Sequence, residues 1–194
     1  MTQFDHVLQD VDKRCREEGI PMLGSKKAEF LAELVEIAQP SLIVECGTAI
    51  GYSGLWTASK LKAAGKGRII TVEINPQRAH EARENFARAG ISHLVDSRIG
   101  DAKEVLKTID EPVDFLLLDN NYDNYFPCFQ AIESRLTNGA TIVADNVGIG
   151  AEGMADYLEH VRSHYESQIH WFEIDLPWVK RDAMEVTVYR KKAT

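Results

Sequence analysis

The chain has 194 residues, 22 Lys+Arg against 30 Asp+Glu, a formal charge of −8 and 44% hydrophobic residues. A chain of this length buries roughly 70% of its unfolded surface, and its apolar content excludes wholesale disorder. The acidic balance disfavours a polyanionic partner such as nucleic acid, since phosphate binding needs a concentrated basic surface.

In chain order, apolar residues at helical spacing (Phe4, Val7, Leu8, Val11, Cys15) predict a helix over 2–18, ended by Gly19-Ile20-Pro21. A second helix starts at Ser25, taken as its N-cap, and carries Phe30, Leu31, Leu34, Val35 and Ala38 before Pro40. Strands then alternate with helices. Strands are expected at 42–44, 68–73, 94–99, 113–118 and 140–144. Helices are expected through Leu61 and at 76–89, 102–108, 125–136 and 151–165. Two β-type segments, 168–174 and 184–190, close the chain with no helix between them. This order predicts an α/β fold: a Rossmann-like open sheet, mostly parallel, with an antiparallel edge strand and helices on both faces. We expect one domain over 1–194, with helices of 1–40 covering the ligand side of a core over 41–194. No apolar run reaches the roughly 18 residues that cross a bilayer, and the start MTQFDHVLQDVDKRC has no signal-type apolar stretch. Cys15, Cys46 and Cys128, scattered and without a CxxC pair, read as reduced thiols of a cytoplasmic protein.

In such sheets ligands sit beyond the carboxyl ends of the strands. The first strand is followed by ECGTAIGYSG at 45–54, where Gly47 and Gly51 permit a tight turn and close approach of a ligand. The loop is neither GxGxxG nor GxxxxGK[ST], and Glu45 beside it suits a cationic ligand better than a pyrophosphate. Glu73, ending the second strand, is placed either to accept from the hydroxyls of a ribose or to favour the helix start at Pro76. Asp101 reads as an adenine neighbour or as an N-cap. Asp119 and Asp145-Asn146 end the fourth and fifth strands, roughly 5 Å apart if those strands are neighbours. No lysine or arginine is near them in sequence, and such close like charges need protonation or a cation. Three oxygen ligands suit Mg²⁺, with Mn²⁺ or Ca²⁺ as alternatives; the competing reading is that each Asp caps the segment that follows.

On the residues VECGTAIGYSG (44–54), TVEINP (71–76), GDA (100–102), LLLDNNYDNY (116–125), ADN (144–146) and DAMEVTVYR (182–190), the chain resembles a known family. These are the class I S-adenosylmethionine (SAM)-dependent, cation-dependent O-methyltransferases, which include the catechol and caffeoyl-coenzyme-A enzymes. The resemblance implies methyl transfer from SAM to a hydroxyl of a small molecule with vicinal oxygens, assisted by a divalent cation. It places Leu23, Glu45, Gly47, Gly51, Ser53, Glu73, Ile74, Asp101, Ala102 and Asp119 around SAM. It matches Asp119, Asp145 and Asn146 to the metal ligands.

The acceptor side departs from the family. Tyr122 stands where the catechol branch has a lysine, Asn121 where an aromatic packs on the ring, and Gly150 where a proline forms a wall. Tyr122 and Asp119 are the candidate catalytic residues; Tyr122 acts as base only if a cation lowers its pKa. Trp178, in the loop before the last strand, is a candidate for lining the acceptor pocket with Asn121 and Gly150. His160 and His164 have zinc spacing but no third ligand, and Lys26 and Lys27 read as a solvated helix face. Alternatives are a modified tRNA base as acceptor, or a SAM-binding module impaired by the loss of the lysine; a nicotinamide dehydrogenase is disfavoured. A homodimer is compatible with the sequence.

Overall fold

The computed structural model describes residues 2–190. Helix α1 (Gln3–Glu18) starts at a capping box: Thr2 Oγ1 accepts from the Asp5 amide, and the Asp5 carboxylate accepts from the Thr2 amide. It stops at Gly19, whose φ of 66° gives the left-handed turn that favours glycine. Helix α2 (Ser25–Ala38) begins one residue earlier than expected. Gly24 is the N-cap and Ser25 is already helical, with no side-chain cap.

Then follow β1 (Leu42–Cys46), α3 (Tyr52–Ala64), β2 (Arg68–Glu73), α4 (Pro76–Arg88), β3 (Val95–Ile99), α5 (Ala102–Leu106) and β4 (Val113–Leu118). The chain continues through α6 (Tyr125–Ile132), β5 (Leu136–Ala144), α7 (Ala155–His164), β6 (Glu166–Leu176) and β7 (Val179–Val188). Asn75 caps α4 ahead of Pro76, whose missing N–H costs nothing at a helix start. The expected helices over 125–136 and 151–165 are shorter than their apolar spacing suggests. The first gives way to a 3₁₀ turn at Glu133–Arg135, and the second begins as one at Ala151–Met154.

The seven strands form one sheet in the order β3-β2-β1-β4-β5-β7-β6. The first five pair parallel, and β7 runs antiparallel to both β5 and β6. Alternation along each strand divides the core between the two faces. Val44, Cys46, Ile70, Leu116 and Leu118 pack towards α5, α6 and α7. Ile43, Ile69, Phe115, Leu117 and Val143 pack towards α1, α2 and α3. The order reverses between β1 and β4, so the crevice beyond their carboxyl ends is the ligand side. The antiparallel turn of β7 has a further effect: its first residues lie beside the carboxyl end of β5, which brings Asp182 next to Asp145. No helix is long and apolar enough to cross a membrane among the described residues.

Candidate functional site

A cavity of about 670 Å³ opens at this switch point, with Gly47, Glu73, Ile74, Asp101, Asp119 and Tyr122 in its wall. Gly47 turns the chain with φ of 101°, and a Cβ there would stand 2.0 Å from the carbonyl oxygen of Asp119. Only glycine lets the ends of β1 and β4 approach this closely. Glu73 is almost wholly buried, yet it reaches the cavity. Its Oε2 accepts from the Ala49 amide at 2.8 Å and its Oε1 from the Asn75 amide at 2.9 Å, which leaves lone pairs for a second donor on each oxygen. Ile74 is 70% exposed, an apolar face with no protein partner over most of its area. Asp101 is the N-cap of α5, its Oδ1 accepting from the Lys103 amide at 3.0 Å, and it also lines the cavity.

Other expected SAM neighbours are placed differently. Glu45 does not face the ligand side. It is 1% exposed, and its carboxylate accepts from the hydroxyls of Ser53 and Thr71; the latter is its partner in the β1–β2 register. Burial pushes its pKa up, opposed by those two hydroxyls. Glu45 therefore ties the glycine loop to β2, and Ser53 is occupied in the same bond. Gly51 is packed against Phe86, where a Cβ would come within 2.8 Å of the ring. Leu23 is buried in the core beneath α2, and Pro21 takes the place in the cavity wall.

The acidic strand ends do converge. The Asp145 amide donates to Leu118 O at 2.9 Å, which sets the end of β5 beside that of β4. The cation beside Asp145 comes from the chain itself. Lys27 Nζ stands 2.6 and 2.8 Å from the two Asp145 oxygens and 2.8 Å from Asp182 Oδ2, three contacts for its three N–H donors. Lys27 is 2% exposed, so the expected solvated face was wrong for it, while Lys26 is exposed. Desolvation works against the Lys27 charge, but the Asp145 and Asp182 carboxylates outweigh it and raise its pKa. Asp182 is lowered by Lys27, whose charge overcomes the penalty of burial. Asp182 is saturated: its Oδ1 accepts from the amides of Gly148 and Ile149, each at 3.1 Å, and its Oδ2 accepts from Asn146 Nδ2 at 2.9 Å in addition to Lys27. Asn146, with φ of 59°, is held in the left-handed region by this arrangement.

These residues do not fit a divalent cation. An ion bound to Asp145 would stand on or against the Lys27 ammonium. At roughly 4 Å and an effective dielectric of 20, the repulsion of a double charge from a single one is about 8 kcal/mol. Asn146, also expected as a ligand, donates from Nδ2 to Asp182 and lines the cavity, so Asp145 is the expected ligand that Lys27 takes. Asp119, the remaining member of the expected set, lines the cavity and makes no side-chain hydrogen bond or ion pair. Desolvation first, and Asp145 second, push its carboxyl well above the usual range, with Lys27 pulling the other way.

On the acceptor side, Asn121 and Tyr122 line the cavity. Gly150 lies behind them rather than in the wall, and a Cβ there would come within 2.8 Å of the Tyr122 ring. With Gly153, where a Cβ would meet Tyr122 Cβ at 2.9 Å, it forms the seat of that ring. Two of the three departures from the family pattern, Tyr122 and Gly150, are thus one: the glycine makes room for the tyrosine. Tyr122 is not tuned as a base. Desolvation, then Asp182, Asp145 and Asp119, raise its pKa above the ordinary phenol value. The phenol therefore stays protonated through neutral pH, and a pH–rate profile should show no Tyr122 limb between about pH 6 and 9. Tyr122→Phe should keep turnover within about tenfold; a loss of about 10²-fold or more, the least that a general base supplies, would assign the proton to the phenol.

Trp178 is 46% exposed, near the tip of the β6–β7 hairpin, and it is not in the cavity wall, so its expected role as a pocket residue is not supported. His160 and His164 stack at 4.5 Å with His160 against Phe126 and Phe129, an aromatic cluster rather than a zinc site. Sequence reasoning missed Lys27, Asp182 and Arg78, the last in the cavity wall.

A model of the O-methyltransferase family matches residues 5–169. A catechol O-methyltransferase of Niastella koreensis is 34% identical over 149 residues, 74% of this chain and 66% of that protein. A probable O-methyltransferase of Mycobacterium tuberculosis is 33% identical over 171 residues, 82% of this chain and 71% of that protein. The chain thus spans about two thirds of the length of these relatives. Among solved structures, the O-methyltransferase TomG of Streptomyces achromogenes, involved in tomaymycin synthesis and in complex with SAM, superposes with a TM-score of 0.82. It is 25% identical, over 95% of this chain and 90% of that one. The Bacillus cereus O-methyltransferase in complex with SAH gives a TM-score of 0.79 at 25% identity, over 95% of this chain and 91% of that one. With residues 5–169 inside the family model and nearly the whole chain superposing on members that hold SAM or SAH, the protein belongs to the SAM-dependent O-methyltransferase family.

Proposed function

We propose that the protein methylates a hydroxyl oxygen of a small-molecule acceptor that enters the cavity between Asp119 and the Asn121–Tyr122 segment. The observation that carries this reading is the cavity itself. One half presents a strand-end carboxylate and an exposed apolar face, and the other presents an acidic floor with polar side chains at its rim. Bound SAM supplies a methyl group on a positively charged sulfur.

This chain's residues do the rest. Glu73, oriented by two backbone amides, accepts from the ribose hydroxyls. Ile74 and Ala102 cover the adenine, and Asp101 stands at its edge. Gly47 lets the backbone approach the methionine part, and Asp119 faces its cationic groups. Attack by the acceptor oxygen forms the O–C bond as the S–C bond breaks, the electron pair staying on sulfur. The acceptor proton passes to the Asp119 carboxylate, which lines the cavity and makes no side-chain hydrogen bond or ion pair of its own. Holding both partners in one hollow lowers the barrier by positioning. The acidic surface favours a neutral or cationic acceptor over a nucleic acid. The catechol enzymes among the relatives support a phenolic hydroxyl.

Titration calorimetry with SAM and SAH tests the first half. Glu73→Ala should weaken SAM binding about 100-fold, since two hydrogen bonds to a carboxylate are worth about 3 kcal/mol together at the lower end of their range. An unchanged affinity would remove Glu73 from the site. Mass detection of a single methyl gain across a panel of phenols tests the second half.

A further inference from the structure

The family resemblance puts a divalent metal at the ends of β4 and β5, and both oxygens of the Asp145 carboxylate there are already occupied. We infer that Lys27 is the resident cation of this site: its ammonium holds the Asp145 carboxylate that a metal would need, and methyl transfer in this protein needs no divalent ion. The inference rests on the methyltransferase reading above and deepens it.

Three observations carry it. The ammonium uses all three of its contacts on Asp145 and Asp182, at 2.6 to 2.8 Å. Asp182 has no capacity left for a metal, because four donors already saturate its two oxygens. Asn146 is turned so that its amide nitrogen serves Asp182, which makes it part of the lysine's cage. Lys27 also cannot easily withdraw. It lies in the first turn of α2, and that helix is pinned by Ala28, Leu31, Ala32 and Val35, all buried. Moving the ammonium out would strip two buried carboxylates of their counter-charge.

Lys27 does not line the cavity, so it is a positioning residue. It neutralises Asp145 next to Asp119, and through Asp182 it fixes Asn146 and the amides of Gly148 and Ile149 beneath the Tyr122 seat. A consequence for the acceptor follows. Vicinal oxygens are useful when they chelate an ion; with an ammonium out of reach, a single phenolic hydroxyl suffices.

The test uses the full chain with saturating SAH and Mn²⁺ as the probe, read by electron paramagnetic resonance. The wild type should bind no Mn²⁺ at about 100 μM. Lys27→Ala, which leaves two carboxylates and a carboxamide without their cation, should gain one bound Mn²⁺ per chain. Mn²⁺ bound by the wild type overturns the inference. So does an absence of binding in both proteins, which would mean that the ammonium does not hold a carboxylate that a metal would need. Should Lys27→Ala not fold, wild-type turnover decides: it should change less than twofold in EDTA and accept monohydric phenols as well as catechols. Loss of activity restored by Mg²⁺ would overturn the inference. SAM binding is measured separately by calorimetry, and its failure would sink the methyltransferase reading without touching the metal result.

Discussion

Substitution of Gly47 by alanine is expected to abolish measurable SAM binding and to lower stability by about 4 kcal/mol, from overpacking and backbone strain together. The Cβ would stand 2.0 Å from Asp119 O and 2.7 Å from Asp119 C, both backbone atoms that no rotamer change can move. The two chain ends cannot part freely, because the Gly47 amide donates to Val72 O and the Asp119 amide to Cys46 O, each at 2.9 Å. Relief therefore requires breaking the ladder that shapes the cavity floor. Gly65→Ala is the control. Its φ is 65° and nothing lies within 4 Å of its Cβ, so it should cost only about 1 kcal/mol and leave SAM binding intact. Chemical denaturation and calorimetry on both variants check the pair. Equal effects at the two positions would show that the cost lies in φ alone and not in the approach of β1 to β4.

The second large effect is at Asp145. Asp145→Ala should destabilise the protein by about 3 kcal/mol, because the buried Lys27 ammonium keeps one carboxylate of two and the hollow left behind is polar. For a chain of this size that lowers Tm by about 6 to 12 °C. The double variant Lys27→Met with Asp145→Leu should be destabilised by less than the sum of the two single changes, since only Asp182 is then left without its counter-charge. Thermal unfolding of the three variants gives the coupling directly. If the effects simply add, Lys27 and Asp145 are not an energetic unit and the buried pair is of little structural consequence.

The residues that mark strand ends made the cavity legible. Continuous apolar runs such as Leu42-Ile43-Val44, each followed by Gly, Asp or Glu, define where a parallel sheet ends, and ligand chemistry collects there. That reasoning places Gly47, Glu73, Asp119 and Asp145 at one edge of the sheet. What it could not supply was the facing of each side chain. Glu45 is one residue before Cys46, and the alternation of a strand turns it to the α3 side, where Thr71 and Ser53 bind it. The need for a cation at the acidic ends was readable; its source was not, because Lys27 is 118 positions from Asp145. One signal was available: Lys27 precedes Leu31 by one helical repeat and Val35 by two, which sets it on the buried stripe of α2 rather than on the face of Lys26. Trp178 could not be placed from sequence, because an aromatic in a hairpin loop reads alike whether it lines a pocket or fills a surface groove; here it is half-exposed and outside the cavity wall.

The lysine's distance from its partners also orders the assembly of the molecule. Asp182 comes 155 positions after Lys27, in the strand that joins the sheet beyond β5. Until β7 has added, the ammonium would have to leave water with only part of its compensation, which opposes the docking of α2. The start of α2 should therefore settle late, after the parallel strands have paired and the antiparallel pair has closed, so that the catalytic hollow takes its final form only when both distant ends of the chain have met.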